Sequence, residues 1–385
     1  MTYLIILLYI ALLSILYEFS NLKLFRNFNK LFLFIILVSL AAFRYRVGGD
    51  TYNYMLVYEL LPEISEISES FFLVKLQPLW LLLNGISKSI SSEFYVFQII
   101  HALLVNSIIF YFFNKHSRYF FTSILVYYFT FYGLYNFEIL RESLAVCVFL
   151  LGFNFLLEKK WIKYFLVVII SFSFHYSALA LLLLPFFLTI KLTVSRLILL
   201  TILAGIANYF FINLISTLTG ADGLSQTLAT YLSYSYSIFG LLSILLINII
   251  YPFSVFKFNQ KYQVSNNKML ALTKFYILGG VLSVGFYIFF RTSNYFVPFF
   301  VICLVDMIHH VARSNLIKGP KIISAAIIFT VIFSLHTYKY FLPVQSGGNS
   351  YTWITIWYPY YSIFDAREDS DREEFFENYQ IEGIE

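Results

Sequence analysis

The feature that most constrains this chain is a series of long, nearly uninterrupted apolar runs. The runs at 3–19 and 94–113 approach the roughly 20 residues that a helix needs to cross a bilayer, and similar runs recur as far as residue 341. In hydrocarbon every backbone polar group must be satisfied within helices or a closed barrel. Barrel strands would alternate apolar and polar residues over about 10 positions. Because the runs are continuous, the sequence predicts an all-α, polytopic transmembrane helical bundle.

Composition argues against a water-soluble globular fold. Hydrophobic residues make up 60% of the chain and charged residues 12%, against about 45–50% and about 25% in soluble domains. The net charge of +5 comes mostly from short loops, where it is an orientation signal rather than a nucleic-acid footprint. Cys147 and Cys303 lie in apolar runs and indicate neither a disulfide framework nor a metal site.

Eleven apolar segments are the predicted spans: 3–19, 29–43, 94–113, 119–135, 141–157, 163–190, 197–215, 237–256, 270–289, 294–312 and 322–341. Cytoplasmic loops are enriched in lysine and arginine. If 163–190 crossed once, Lys191 and Arg196 would be external, and every later loop would break that rule. A break at His175 that sends the segment out and back restores the rule. We therefore expect about twelve crossings.

Basic residues also orient the chain. Three of them place the loop after the first span in the cytoplasm: Lys23, Arg26 and Lys30. Three segments are then external: 44–93, 216–236 and 342–364. The N-terminus is external too, and 1–20 is a retained span rather than a signal peptide. The sequence thus predicts one integral membrane domain over 1–364 and an external, acidic polar tail over 365–385 that is solvated or loosely ordered.

The first external segment opens with a charged, glycine-containing motif, RYRVGGDTYNY, from Arg44 to Tyr54. Its glycines allow a tight bend or a close approach of backbone to a ligand. Arg44 and Arg46 can fork onto phosphate oxygens, and Asp50 can accept a proton from a hydroxyl. The alternative is an interfacial anchor with snorkelling arginines.

A second ionisable cluster, Glu138, Arg141 and Glu142, lies at the outer entrance of the 141–157 span. Such groups beside an apolar helix are costly unless they are paired or functional. One interpretation is an Arg141–Glu138 ion pair at a helix end, and the other is that Arg141 binds the head group of an anionic lipid.

Two further polar positions lie on the same predicted face. His175 is either a hydrogen-bonded packing residue or part of a cavity lined by a broken helix. Arg291, in an outer turn, either snorkels or contacts phosphate. Six residues converge on this face although none was used to assign it: Arg44, Arg46, Asp50, Arg141, His175 and Arg291. No nucleotide-binding loop, nucleophile elbow or metal spacing accompanies them, so a reaction here must use a substrate activated beforehand.

Taken in order, the motifs resemble those of the EpsG/Wzy group of bacterial polysaccharide polymerases. They are Arg44 to Tyr54, Gln77-Pro78-Leu79, Arg141-Glu142-Ser143-Leu144-Ala145, Phe174-His175-Tyr176-Ser177-Ala178 and Trp357-Tyr358-Pro359-Tyr360. An acidic residue after a span, followed by an interfacial helix at 77–90, is also similar to the GT-C type of lipid-dependent glycosyltransferase. The extra N-terminal span departs from its simplest form.

The resemblance implies a multi-pass enzyme of the bacterial inner membrane with its active site facing the periplasm. It would be a metal-independent glycosyltransferase without a cofactor that polymerises O-antigen or exopolysaccharide repeats. The growing glycan would pass from undecaprenyl pyrophosphate to the next undecaprenyl-pyrophosphate-linked repeat. Expected partners are these lipid-linked oligosaccharides, membrane lipids and a chain-length regulator protein, and not nucleic acid.

Residue roles follow from the same resemblance. Asp50 would be the general base or would orient the acceptor hydroxyl. Arg141 and Arg291, with Arg44 or Arg46, would bind the pyrophosphate and stabilise its developing charge. His175 would assist by hydrogen-bonding sugar or phosphate. Three residues complete the predicted substrate-binding set: Tyr54, Glu138 and Glu142.

Three other functions remain open at this stage. An O-antigen ligase would use the same donor and the same arginines. A lipid-linked oligosaccharide flippase would line its path with polar groups through the bilayer midplane, whereas here they gather at one face. An acyltransferase would need a histidine that reaches a cytoplasmic acyl donor, and His175 is predicted on the other side.

Overall fold

The computed structural model describes residues 1–20, 22–66, 76–219, 238–314, 321–346 and 349–376. The predicted all-α class is confirmed, with one short antiparallel hairpin of β1 (Pro343–Ser346) and β2 (Asn349–Thr352). The helices are α1 (Thr2–Ser14), α2 (Arg26–Ala42), α3 (Thr51–Leu60), α4 (Pro78–Ile90), α5 (Phe94–His116), α6 (Phe120–Tyr127), α7 (Leu140–Leu157), α8 (Trp161–Phe172), α9 (Leu184–Phe187), α10 (Val194–Thr219), α11 (Ile238–Ile244), α12 (Tyr251–Tyr262), α13 (Asn267–Gly285), α14 (Phe290–Asn294), α15 (Val297–Arg313) and α16 (Lys321–Thr337). Residues 220–236 of the second predicted external segment, and 377–385 of the tail, lie outside the described residues.

Membrane-crossing length is reached by fewer helices than the sequence predicts. Five helices among the described residues are long and apolar enough to cross: Thr2–Phe19, Phe94–His116, Leu140–Leu157, Gly240–Tyr262 and Asn267–Gly285. Four shorter apolar helices of 10–17 residues accompany them: Phe120–Tyr132, Trp161–Phe172, Tyr176–Phe187 and Val194–Phe210. The chain is therefore a helical membrane protein, while the twelve crossings and the GT-C-like arrangement remain predictions.

The break expected within 163–190 is present. Helix α8 ends at Phe172, and the chain turns at Ser173 to His175. It then continues as a 3₁₀-helix over Tyr176–Leu183. Pro185 at the start of α9 has no amide hydrogen, so it fits the first turn of a helix but not a helix interior. One straight span over 163–190 is thereby excluded.

The described helices fall into two compact units. The first comprises the described residues of 1–155, 160–176 and 318–385, and the second those of 156–159 and 177–317. In the first unit α1 packs on α6 and α2 packs on α5. The division into one membrane domain over 1–364 and a separate tail remains a prediction.

A buried carboxylate joins α1 to α6. Glu18, in the π-helical turn that ends α1, is only 3% exposed. It accepts hydrogen bonds from the backbone N–H groups of Phe121 (2.7 Å) and Thr122 (2.8 Å). These are among the first N–H groups of a helix, which have no intrahelical partner. Glu18 therefore satisfies the start of α6 and fixes it against α1.

The segment after the hairpin returns to the Arg44–Tyr54 motif. The backbone N–H of Tyr45 donates to the carbonyl of Tyr361 (2.9 Å), and that of Ile363 donates to the carbonyl of Phe43 (2.9 Å). Arg44 and Ser362 thus form an isolated antiparallel bridge. This pairing holds residues from the two ends of the chain side by side.

In the second unit, α13 packs against α10, α12, α15 and the π-helical segment Leu245–Ile250 that precedes α12. Close approach is possible because glycines face these neighbours. A Cβ atom on Gly280 would lie 2.3 Å from the backbone oxygen of Asn248, and one on Gly285 would lie 2.2 Å from that of Ala204. Helices in membranes commonly use small residues to let backbones approach in this way.

We expect Gly280→Ala to destabilise the second unit by about 1–3 kcal/mol, because the added methyl group would collide with the rigid backbone of Asn248. The matched control is Gly205→Ala in α10, where a Cβ atom would meet nothing within 4 Å. That control should be neutral or slightly stabilising, because alanine favours helix more than glycine does. Thermal unfolding midpoints of the purified protein in detergent distinguish the two, and equal midpoints would contradict the packing described here.

Candidate active site

The Arg44–Tyr54 motif forms a sharp turn before α3. Gly48 has φ +112°, in the region that favours glycine. A Cβ atom there would lie 2.7 Å from the hydroxyl oxygen of Thr51 and 2.8 Å from Cβ of Phe137. The N–H of Gly48 donates to the carbonyl of Ile356 (3.1 Å). The predicted tight bend is therefore confirmed. Position 48 requires glycine for two reasons: its φ is positive, and Thr51 and Phe137 leave no room for a Cβ atom.

The carboxylate of Glu138 accepts hydrogen bonds from the backbone of this turn. Its Oε1 accepts from the backbone N–H of Gly49 (2.9 Å) and from the indole Nε1 of Trp357 (2.5 Å). Its Oε2 accepts from the backbone N–H of Asp50 (3.0 Å). Hydrogen bonds to a charged acceptor are roughly twice as strong as neutral ones. Glu138 ends a π-helical segment, Leu134–Glu138, and such bulges often occur at functional sites.

The partly buried carboxyl group of Glu138 lies near the buried guanidinium of Arg44. Burial raises the pKa of the Glu138 carboxyl, while its hydrogen bonds and the charge of Arg44 act in the opposite direction. Burial lowers the pKa of the Arg44 guanidinium to about 10, so Arg44 stays charged at neutral pH. Arg44 is 1% exposed, donates to the carbonyls of Ala41 and Val47, and lies over the ring of Phe137 (5.1 Å). This arrangement does not fit a snorkelling arginine.

Asp50, the predicted base, is the exposed residue of the turn. It occupies the N-cap position of α3, yet its side chain makes no capping hydrogen bond. The N-terminal end of a helix favours the charged form of a carboxylate. The backbone of Asp50 is therefore fixed by Glu138 while its carboxylate lies on the surface.

The side chain of Arg141 contacts two of the other motifs, Arg44 to Tyr54 and Gln77-Pro78-Leu79. Its guanidinium lies 6.0 Å from the ring centroid of Tyr54 and donates to the side-chain oxygen of Gln77 (3.4 Å). The ring of Tyr54 packs on that of Trp80 (5.5 Å). Among the described residues no carboxylate is within 4 Å of Arg141. The Arg141–Glu138 ion pair, one of the two interpretations from sequence, is therefore not formed.

His175 and Glu142 are both buried at 1% exposure. The ring of His175 stacks on that of Tyr176 at 4.4 Å. Two residues before it, the carbonyl of Ser173 accepts from the N–H of Leu79 (2.9 Å), which attaches the broken helix to α4. The Gln77-Pro78-Leu79 motif thus contacts Arg141 on one side and the His175 turn on the other. The catalytic role of His175 remains a prediction.

Arg46 is held by the C-terminal tail, which the sequence did not predict. It forms ion pairs with Glu373 and Glu368, the latter at 3.4 Å, and lies over the ring of Tyr52 at 5.0 Å. Burial lowers the pKa of Arg46, but the carboxylate of Glu373 outweighs it, so the pKa is raised overall. A phosphate would have to compete with these carboxylates for Arg46.

Residues 370–376 of the tail are helical rather than a solvated end. Arg372 is 1% exposed and donates to the carbonyls of Thr355 (3.0 Å), Arg46 (3.2 Å) and Pro359. Phe375 and Phe376 are buried with Ile356. The sequence feature that could have indicated this packing is the pair Phe375-Phe376 within an acidic run. Two large apolar side chains are unfavourable in a segment that is exposed to water.

An apolar groove of about 340 Å³ adjoins this turn. It is lined by α1, by the π-helical end of α6, by α16 and by the segment that follows β2, mainly with the residues Tyr3, Leu4, Tyr128, Tyr132, Phe137, Phe333, Tyr340 and Trp357. Exposed apolar side chains border it, such as Leu4 (52%) and Phe341 (61%). Trp357 belongs to the groove and donates to Glu138, so the groove and the turn share one hydrogen-bonded contact.

Arg291 lies in α14 of the second unit, so its convergence with the other predicted site residues remains a prediction. Within the described part of the chain, no group of three or more His, Cys, Asp or Glu residues is placed to hold a metal ion.

The structure defines a helical membrane protein in which Glu138 and Ile356 contact the glycine turn, Trp357 binds Glu138, and Arg141 lies beside Tyr54 of the same motif. In a comparison with known protein families, the chain matches the EpsG family over residues 27–362. It belongs to the EpsG family, and this membership suggests a polysaccharide polymerase-like role of the glycosyltransferase type. No curated protein and no solved structure is a significant match.

We expect Gly49→Ala to release the turn from Glu138, because the new Cβ atom would lie 2.8 Å from Oε2 of Glu138. Loss of these hydrogen bonds should cost about 1–3 kcal/mol and should change the environment of Trp357. Unfolding midpoints and the tryptophan fluorescence difference against Trp357→Phe measure both effects.

The control for Gly49→Ala is Gly133→Ala, since a Cβ atom on Gly133 would have its nearest neighbour at 4.0 Å. If Gly49→Ala leaves the midpoint and the Trp357 signal unchanged, Glu138 does not hold the turn.

Proposed function

We propose that this protein polymerises lipid-linked oligosaccharide repeats of an O-antigen or exopolysaccharide. It transfers the growing glycan from undecaprenyl pyrophosphate to a sugar hydroxyl of the next undecaprenyl-pyrophosphate-linked repeat. The reaction takes place on the periplasmic side of the bacterial inner membrane, without a metal ion or cofactor. A chain-length regulator protein is an expected partner.

One observation carries the proposal: Glu138 binds both the turn that presents Asp50 and Trp357 of the apolar groove. A lipid-linked sugar has a hydrocarbon tail and a polar head, and this arrangement offers an apolar surface beside an exposed carboxylate. The exposed apolar residues at the edge of the groove suit entry of a chain from the bilayer. A soluble sugar would gain little from such a groove.

The reaction needs a base and a stabilised leaving group. Asp50 accepts the proton of the acceptor hydroxyl, the hydroxyl oxygen bonds to the anomeric carbon of the donor sugar, and the bond from that carbon to the pyrophosphate oxygen breaks. The leaving undecaprenyl pyrophosphate keeps the electron pair. A positioned base contributes about 10²–10⁴-fold in rate, and preorganised positive charge at the leaving group contributes further.

Arg141 is the better phosphate ligand of the first unit. It has no carboxylate partner among the described residues, and it lies beside Tyr54 and Gln77. Arg46 is already paired with two carboxylates of the tail. Arg44 is buried and serves the fold of the turn, and the role of Arg291 in binding phosphate remains a prediction.

The proposal is tested by deleting the gene and resolving the cell's surface polysaccharide on a gel. Loss of the long-chain ladder, with a single repeat still attached to lipid A core, supports a polymerase; for an exopolysaccharide, single lipid-linked repeats should accumulate. A ladder that persists unattached identifies a ligase instead. Loss of even the single-repeat species identifies a flippase.

In the deletion strain, Asp50→Asn should restore no polymer although the protein reaches the membrane in normal amount. The amide keeps the shape of the side chain but cannot accept the proton. Asp371→Asn, an exposed position on the tail helix, should restore the full ladder. Full polymer with Asp50→Asn would exclude Asp50 as the base.

Arg141→Lys should lower polymer formation by about 10- to 100-fold, because lysine keeps the charge but loses the planar fork that matches phosphate. The control is Arg196→Lys, an exposed residue of the second unit. Turnover of purified protein with a lipid-linked repeat measures the difference, and wild-type turnover in Arg141→Lys would remove Arg141 from the site.

A further inference from the structure

The first unit contains a second cavity, of about 470 Å³, whose lining differs from that of the apolar groove. We call it the mixed cavity. It is lined by 44–46 of the glycine-containing motif, by α3, by the start of α5 and by 363–366. It therefore adjoins the motif that presents Asp50 without including Asp50 itself.

Two buried polar side chains line the mixed cavity. Gln98 is 2% exposed, and it belongs to the lining of the cavity. Arg44 is 1% exposed and donates to the backbone carbonyls of Val47 and Ala41, so it contributes its charge to the wall of the cavity. An amide both donates and accepts hydrogen bonds, so a ligand with hydroxyl groups can pair with Gln98.

The rest of the lining narrows the class of ligand. Glu59 and Glu93 are exposed at this cavity and would repel the negative charge of a phosphate. A buried guanidinium and an amide make the cavity unsuitable for a hydrocarbon chain. Rings of Tyr58, Phe94 and Tyr95 provide flat apolar surfaces. Carboxylate, amide and guanidinium groups beside aromatic rings suit a sugar, which has hydroxyl groups on its edges and apolar C–H faces.

We propose that the mixed cavity binds a sugar residue of the glycan, with Gln98 hydrogen-bonding its hydroxyl groups and Tyr95 packing against its ring. The residues that line the cavity indicate a ligand with several hydroxyl groups. That this ligand is part of the lipid-linked repeat rests on the proposed function. In this arrangement the carbohydrate and the lipid tail of the substrate occupy separate surfaces of the same unit.

The test is binding of lipid-free oligosaccharide, prepared by mild acid hydrolysis of the source cell's own polysaccharide, to the full-length protein in lipid nanodiscs. Saturation-transfer difference NMR reports the contact and the affinity. Gln98→Leu, which keeps the volume but removes the amide, should weaken oligosaccharide binding by about tenfold, equivalent to one lost hydrogen bond. Binding of inorganic pyrophosphate should stay unchanged.

Two further variants make the result decisive. Gln260→Leu, at an exposed position of the second unit, should bind the oligosaccharide as the wild type does. Glu93→Gln should also weaken oligosaccharide binding, and it replaces Gln98→Leu as the test if that variant does not fold. No binding by the wild type, wild-type affinity in both cavity variants, or an equal loss of pyrophosphate binding would overturn the proposal. This binding assay measures no turnover. Its failure would overturn the sugar site, whereas a polymer ladder that survives gene deletion would overturn the proposed function.

Discussion

The hydrogen bonds of the Glu138 carboxylate are the interaction on which the candidate site depends. Three donors from two distant parts of the chain converge on this one group: Gly49, Asp50 and Trp357. A carboxylate that is partly removed from water, as Glu138 is, needs such donors to compensate for its lost hydration. The same contact that satisfies Glu138 therefore fixes the backbone of Asp50 and positions the groove beside it. Glu138 thus positions the residues around it, and its predicted role in substrate binding remains a prediction.

In the first unit, surfaces of different chemistry lie around one short motif, Arg44 to Tyr54. The apolar groove contacts the turn through Trp357, and the mixed cavity contacts it through Arg44 to Arg46. Arg141 lies near Tyr54, within the same motif. An amphiphilic substrate with a hydrocarbon tail, a charged linkage and a sugar needs three such surfaces. A flippase would instead need polar groups along a path through the bilayer.

The C-terminal tail changes how the arginines of the motif are understood. Sequence reasoning treated Arg44 and Arg46 as equivalent phosphate ligands and the tail as a solvated end. In the structure Arg44 is a buried part of the turn, while Arg46 is neutralised by Glu368 and Glu373. Arg372 ties the tail helix to three backbone carbonyls. The tail is thus a component of the site. Unlike Arg46, Arg141 has no carboxylate within 4 Å among the described residues.

Sequence alone determined the helical membrane class, the EpsG resemblance, the tight bend at Gly48 and the break at His175. These depend on apolar runs, glycine conformation and local charge, which are all readable over a few residues. It did not determine the number of crossings, because short and interrupted apolar helices do not reveal their depth. Only the tertiary structure decided that Glu138 binds the turn 89 residues earlier rather than Arg141, and that Arg372 and Phe375 anchor the tail. The physical reason is that a buried polar group binds whichever donors packing brings to it, and that choice is not encoded in the spacing of residues along the chain.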